Sequence, residues 1–170
     1  MKTGRNTRLI SLLLTFAVLF GLAVSVSAAD VSRESGTVTE EDSQVTDPGQ
    51  IVVDTALQYL GVPYVWGGTS PSGFDCSGFV YYVYRQCGYS ITRTATTQNG
   101  DGSKVSRSNL QPGDIIIFYN SAKTAIGHSA IYIGNGQFIH ASSSGGRVMI
   151  TNLSSTYYDT HFYSARRIVG

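Results

Sequence analysis

The chain has 170 residues, 12 Lys/Arg against 11 Asp/Glu, and a formal charge of +1. Nothing in that balance suggests a protein held to nucleic acid by phosphate contacts. Two cysteines in a chain of this size exclude dependence on disulfide staples, because the folded part is long enough to bury a core of its own.

Residues 1–29 carry the marks of a secretory signal. Lys2, Arg5 and Arg8 form a basic start, the apolar run LISLLLTFAVLFGLAV follows, and the small-residue exit SVSAAD fits cleavage after Ala28 or Ala29. The alternative is an uncleaved anchor, since the run approaches the ~18 residues a membrane span needs. The exit has no nearby cysteine for lipid attachment. Residues 30–47 hold six acids and one arginine with little to bury, which predicts a flexible acidic linker. Residues 48–170 hold eight basic and five acidic side chains, a net of +3, and are expected to form one mildly basic domain.

The first helix is predicted in TDPGQIVVDTALQYLG. Asp47 caps it, Pro48 suits the first helical position, Gln50 completes a spacing like that of a capping box, and Gly61 ends it. Ile51, Val52, Ala56, Leu57 and Leu60 supply its apolar stripe. VPYVWGGTSPSG reads as a loop. DCSGFVYYVYRQCG reads as a second helix, with Asp75 as N-cap and Gly88 as the stop; its aromatic and β-branched content suits a strand, but the cap and the glycine favour helix. Residues 89–113 read as irregular. From Asp114 the period changes, and DIIIFYN, SAIYIGN, QFIHAS, VMITNL and YSARRIV read as short strands. Helices followed by antiparallel strands make an α+β fold.

Cys76 and Cys87 on one helix would be separated by ~16 Å of rise, too far for a disulfide, so both are expected free. Apolar neighbours mark Cys87 as inert and buried. Cys76 opens its helix, where free amides and the dipole stabilise negative charge and are expected to pull the thiol below its usual ~8.5. A buried structural cysteine is the competing reading.

A thiolate nucleophile needs a base, and the chain has three histidines. His128 and His140 lie in GHSAIYIGNGQFIHA, a hairpin around Gly134-Asn135-Gly136. A two-residue turn pairs Gly134 with Gln137 and puts the histidines on opposite faces. A three-residue loop with a bulge at Gly136 pairs Ile133 with Gln137 and Ala130 with His140, and puts both on one face. The bulged register also gathers Ile131, Ile133, Ile139 and Ala141 on the other face, so burial favours it. His128 then serves as base toward Cys76 and His140 orients it. His161 has no such partner and is read as structural. Neither Cys-x-x-Cys nor His-x-x-x-His spacing supports a zinc site.

These pieces carry a resemblance. PYVWGGTSPSGFDCSGFVYYVY, ITRTATTQ, LQPGDIIIF, GHSAIYIGNGQFIHAS and YSARRI, in that order over about residues 50–169, resemble the NlpC-type family of papain-like cell-wall peptidases. The resemblance implies a papain-like fold, with N-terminal helices on an antiparallel sheet of about five strands. It implies Cys76 as nucleophile, His128 as base and His140 as the third polar residue. Tyr64 would sit at the oxyanion or acyl site, and Asp75 and Ser77 would line the substrate groove. Arg93 and Gln98 match positions of structural or groove-forming role. Family members cleave peptidoglycan stem peptides, most commonly between the γ-carboxyl of D-glutamate and the next diamino acid, without metal or cofactor. The expectation is a secreted, wall-associated monomeric cysteine endopeptidase, free of the membrane after signal cleavage. The alternatives are a papain-like amidase cutting the glycan–peptide bond and a catalytically silent wall-binding module.

Overall fold

A computed structural model describes residues 47–170. The expected signal peptide, and all of the expected linker but Asp47, lie outside the described residues. Helix α1 spans Pro48–Leu57; the Asp47 side chain accepts from the Gly49 N–H at 2.9 Å. Gln50 does not close a capping box. Its amide donates to Asp54 one turn on, at 2.8 Å. The buried stripe is Val52, Val53 and Ala56; Ile51 and Leu60 are exposed.

A small hairpin of β1 (Thr69–Ser70) and β2 (Gly73–Phe74) leads into helix α2, Cys76–Gln86. Asp75 caps α2 through the Gly78 N–H at 2.6 Å, and Gly88 follows it at φ +85°. Phe79, Val80, Val83 and Tyr84 on α2 are fully buried. Truncating a phenylalanine buried like Phe79 to alanine costs about 3–5 kcal/mol. Tyr84 donates to the Gly113 carbonyl, which ties α2 to the entrance of the sheet.

The segment expected to be irregular holds helix α3 (Ala95–Gln98), strand β3 (Ser103–Val105) and a 3-10 turn at Arg107–Asn109. Then come β4 (Ile115–Tyr119), β5 (Ile126–Gly134), β6 (Gln137–Ser142), β7 (Arg147–Asn152), the short helix α4 (Thr156–His161) and β8 (Phe162–Arg167). The main sheet is antiparallel throughout, in the order β3-β8-β4-β5-β6-β7. It has the five strands read from the sequence plus β3 at one edge.

One face of the sheet, through Ile115, Ile117, Ile131, Ile139, Ala141 and Val148, packs with α1 and α2. The other carries Ile116, Phe118, Ala130, Phe138 and Leu153, with Tyr158 of α4 against it. The β5–β6 register pairs Ile131 with Ile139 and Tyr132 with Phe138, that of the expected bulged hairpin. The turn differs. Gly134 pairs with Gln137 across Asn135-Gly136, and the extra residue, Ile133, sits between Tyr132 and Gly134. Three consecutive positive φ values, at Gly134, Asn135 and Gly136, make this tight turn, so the bulge moves one step into β5.

Candidate active site

Both histidines lie on the sheet face away from α1 and α2. His140 is fully buried on β6; His128, near the start of β5, is half-buried. Their rings meet edge to face, with His128 Nε2 2.8 Å from His140 Nδ1. His140 Nε2 lies 3.1 Å from Thr151 Oγ1 on β7. Tyr158 packs against both rings and Phe118 against His128. Burial lowers His128 from its ordinary 6.5 to about 4, and pushes His140 well below it, helped by His128. Both imidazoles are therefore neutral at pH 7.

Cys76 is half-buried at the start of α2 and is a free thiol, as is Cys87. The backbone of Ser129, next in chain to His128, is close enough to the thiol to lower its pKa. A cavity of about 710 Å³ is lined by Cys76 and His128 together, with Tyr64, Trp66, Asp75, Ser77 and Arg93 on its walls. The helix-start expectation for Cys76 is reversed in sign. Burial, with Asp75 adding to it, pushes the thiol up, and the amides of Ser129, Ser77 and Cys76 only partly offset this. At rest these two groups are thus a thiol and a neutral imidazole. Cys87 is less enclosed than expected: it is half-buried, its sulfur 3.4 Å from Thr55 Oγ1.

Asp75 does more than cap. Its carboxylate takes both Arg93 guanidinium nitrogens, at 3.1 and 2.7 Å, and the Gly67 N–H at 3.0 Å, so it joins helix, entry loop and the turn before α3. Ser77 accepts from Arg93 at 3.0 Å. Gln98 is fully buried and donates to the carbonyls of Ser77 and Thr92, a structural link behind the helix start. Burial first, then Cys76 and Asp75, push the Tyr64 phenol up, so its hydroxyl keeps its proton in the cavity that Cys76 also lines. His161 is buried on α4; its Nδ1 donates to the Tyr157 carbonyl at 2.6 Å and its ring stacks on Tyr157.

Thr151 and Tyr158 were not singled out in the sequence. Strand alternation places Thr151 two residues from Met149 on one face, but linking it to His140 needs the β6–β7 register, in which Phe138 faces Thr151. Among the described residues no group of three or more His, Cys, Asp or Glu side chains is placed to hold a metal ion.

A thiol at a helix start that shares a cavity with a sheet-borne imidazole, itself 2.8 Å from a second imidazole, is an arrangement suited to nucleophilic acyl transfer on an α+β frame. The model of the NlpC/P60 family matches residues 61–167, and the chain belongs to that family. It is 48% identical over 118 residues to the gamma-DL-glutamyl hydrolase of Bacillus subtilis, covering 68% of this chain and 28% of that one. It is 36% identical over 140 residues to the murein DD-endopeptidase MepH of Escherichia coli, covering 79% of this chain and 52% of that one. It is also 36% identical over 141 residues to a gamma-D-glutamyl-L-lysine dipeptidyl-peptidase of B. subtilis, covering 82% and 44%. The chain thus spans between about a quarter and a half of these relatives. Among solved structures, an NlpC/P60 family protein from Bacillus cereus superposes with a TM-score of 0.69 at 36% identity, over 72% of this chain and 40% of that one. The NlpC/p60 domain of the peptidoglycan hydrolase SagA does so with a TM-score of 0.61 at 39% identity, over 70% and 97%.

Proposed function

We propose that this chain is an exported cysteine endopeptidase that hydrolyses peptidoglycan stem peptides at the amide between the γ-carboxyl of D-glutamate and the next diamino acid. The observation that carries the reading is the convergence of Cys76 and His128 on one cavity, with His140 behind His128 at 2.8 Å. Two relatives have names that specify γ-glutamyl bonds, which supports this bond; the name of MepH specifies a DD-bond. Export rests on the basic start and apolar run of residues 1–29, and the reading puts a monomeric enzyme outside the cell or at the wall.

The chemistry follows from the ring nitrogens. His128 Nε2 is engaged by His140, which leaves Nδ1 as the acceptor for the thiol proton. As that proton moves, Cys76 Sγ bonds the carbonyl carbon, and the oxyanion is held by the Cys76 backbone N–H at the helix start with Tyr64 beside it. The imidazolium gives its proton to the departing amine as the C–N bond breaks, leaving a thioester. His128 then takes a proton from water, hydroxide displaces sulfur, and the proton returns to the thiolate. Asp75 and Ser77, next to the sulfur, border the acyl fragment.

The test is incubation of wild type and Cys76→Ala with defined muropeptides, read by product mass. Wild type is expected to expose a new amino terminus on the diamino acid, and the variant to lose at least about 10³-fold in rate. Release of an intact stem from the glycan would instead establish the amidase. Equal lysis by the two proteins would leave only a binding module.

A further inference from the structure

Two cavities meet at His128. The one described above touches Cys76, and carries the Arg93–Asp75 pair. The other, of about 590 Å³, touches His128 but not Cys76; the two share Gly127, His128 and Ser143. In acyl transfer to sulfur the acyl fragment stays with the nucleophile, while the leaving amine must reach the imidazolium that protonates it. A compartment that borders the base and not the nucleophile therefore lies on the amine side of the bond.

We infer that the cavity bounded by Tyr119, Ser121, Ser142, Ser144 and Tyr157 holds the amine-side fragment, and that it selects a diamino acid whose side-chain nitrogen is an amide rather than a free ammonium. This rests on the endopeptidase reading above. Among the described residues, the walls carry no Asp, Glu, Lys or Arg, and their one imidazole, His128, is kept neutral by burial. The polar surface is hydroxyl and amide, and it is held in place. Ser142 is 3% exposed, its Oγ lies 3.2 Å from Ser144 Oγ, and it accepts from the Gly145 N–H at 3.0 Å. Tyr157 lies flat on His161 at 4.0 Å, and Tyr119 packs edge-on with Tyr163 at 4.8 Å. An ammonium entering here sheds part of its hydration and meets no counter-charge, whereas an amide exchanges water for fixed hydroxyl partners. The formal charges of the groove all lie on the acyl side, at Asp75 and Arg93. The favoured substrate class is thus a stem acylated at the distal amine, the chemical state that a cross-link creates.

The experiment compares two γ-D-glutamyl-L-lysine peptides, one with the lysine Nε free and one with it acetylated, on the full chain. Wild type is expected to cleave the acetylated peptide with kcat/KM about five- to tenfold higher, the scale of a partly compensated charge desolvation. Ser144→Asp, at an exposed position, is expected to invert that ratio at low salt, and Ser121→Asp on the same wall to do the same. Equal or faster cleavage of the free-amine peptide by wild type would overturn the inference, as would an unchanged ratio in both variants. Cleavage of neither peptide by wild type, or cleavage that survives Cys76→Ala, would overturn the endopeptidase reading itself and this inference with it.

Discussion

At His140 a single hydrogen bond decides where a proton sits. For His128 to accept at Nδ1, its Nε2 must keep a proton and donate it to His140 Nδ1. The proton of His140 is then on Nε2, and Thr151 Oγ1 accepts it at 3.1 Å. Thr151→Val keeps the shape and removes the acceptor, so the buried N–H loses its partner or the tautomer flips, which places a proton on the wrong nitrogen of His128. The expected loss is ~10- to 100-fold in kcat, equivalent to about 1.4–2.8 kcal/mol, with KM little changed. Thr151→Ser should restore most of it, and imidazole nitrogen NMR should report the flip in the valine variant alone. Equal losses in both variants would reduce Thr151 to packing. The two histidines were legible because alternation within one hairpin assigns their faces. Thr151 was not, because the Ser-Ser-Gly-Gly loop before β7 leaves the β6–β7 register open. The thiol pKa was misread for a similar reason: the helix start is local, while the burial that outweighs it is assembled from distant residues.

Helix α2 begins where it does because of contacts on two length scales. Its cap, Asp75, is a matter of three residues and could be read directly. The tight approach of Gly78 to the entry loop is not local: a Cβ there would stand 2.0 Å from the Gly68 carbonyl oxygen. Helix propensity alone would make Gly78→Ala stabilising by ~1 kcal/mol. The clash is with backbone, so the expected result has the opposite sign, a loss of about 2–3 kcal/mol seen as a lower urea midpoint. A raised midpoint would mean that loop and helix are not in contact. The short elements β1, β2 and β3 escaped the sequence reading because two or three residues cannot display a period. The hairpin shows the complementary case, with burial fixing the register along β5 and β6 while glycine conformation sets the turn.

For the whole molecule, the hydrogen-bonded histidine pair couples folding to pH. An imidazole in the unfolded chain takes up a proton below about 6.5, whereas half-buried His128, desolvated by its neighbours, resists until about 4, and His140 is lowered further still. Between those values the unfolded state binds more protons, so stability falls as pH is lowered and is fully present above about 6.5. Thermal melts from pH 7.5 to 4 should show this decline. His140→Gln should flatten part of it, and an equally steep decline in that variant would place the titration elsewhere. The α+β order and the helix–sheet division could be read from helix caps, terminal glycines and strand periodicity, because burying one face of each element admits few arrangements. Which cavity borders Cys76 and which borders His128 alone could not, since that depends on how β5, α2 and α4 meet.

Trp66 is the sole tryptophan of the chain, 88% exposed on the wall of the cavity that holds Cys76. An indole in water fluoresces toward the red, and a peptide seated beside it would strip solvent from one of its faces. The protein therefore carries its own optical reporter of occupancy. In a Cys76→Ala chain, which binds without turnover, a blue shift on adding a stem peptide should trace a binding isotherm with no label attached.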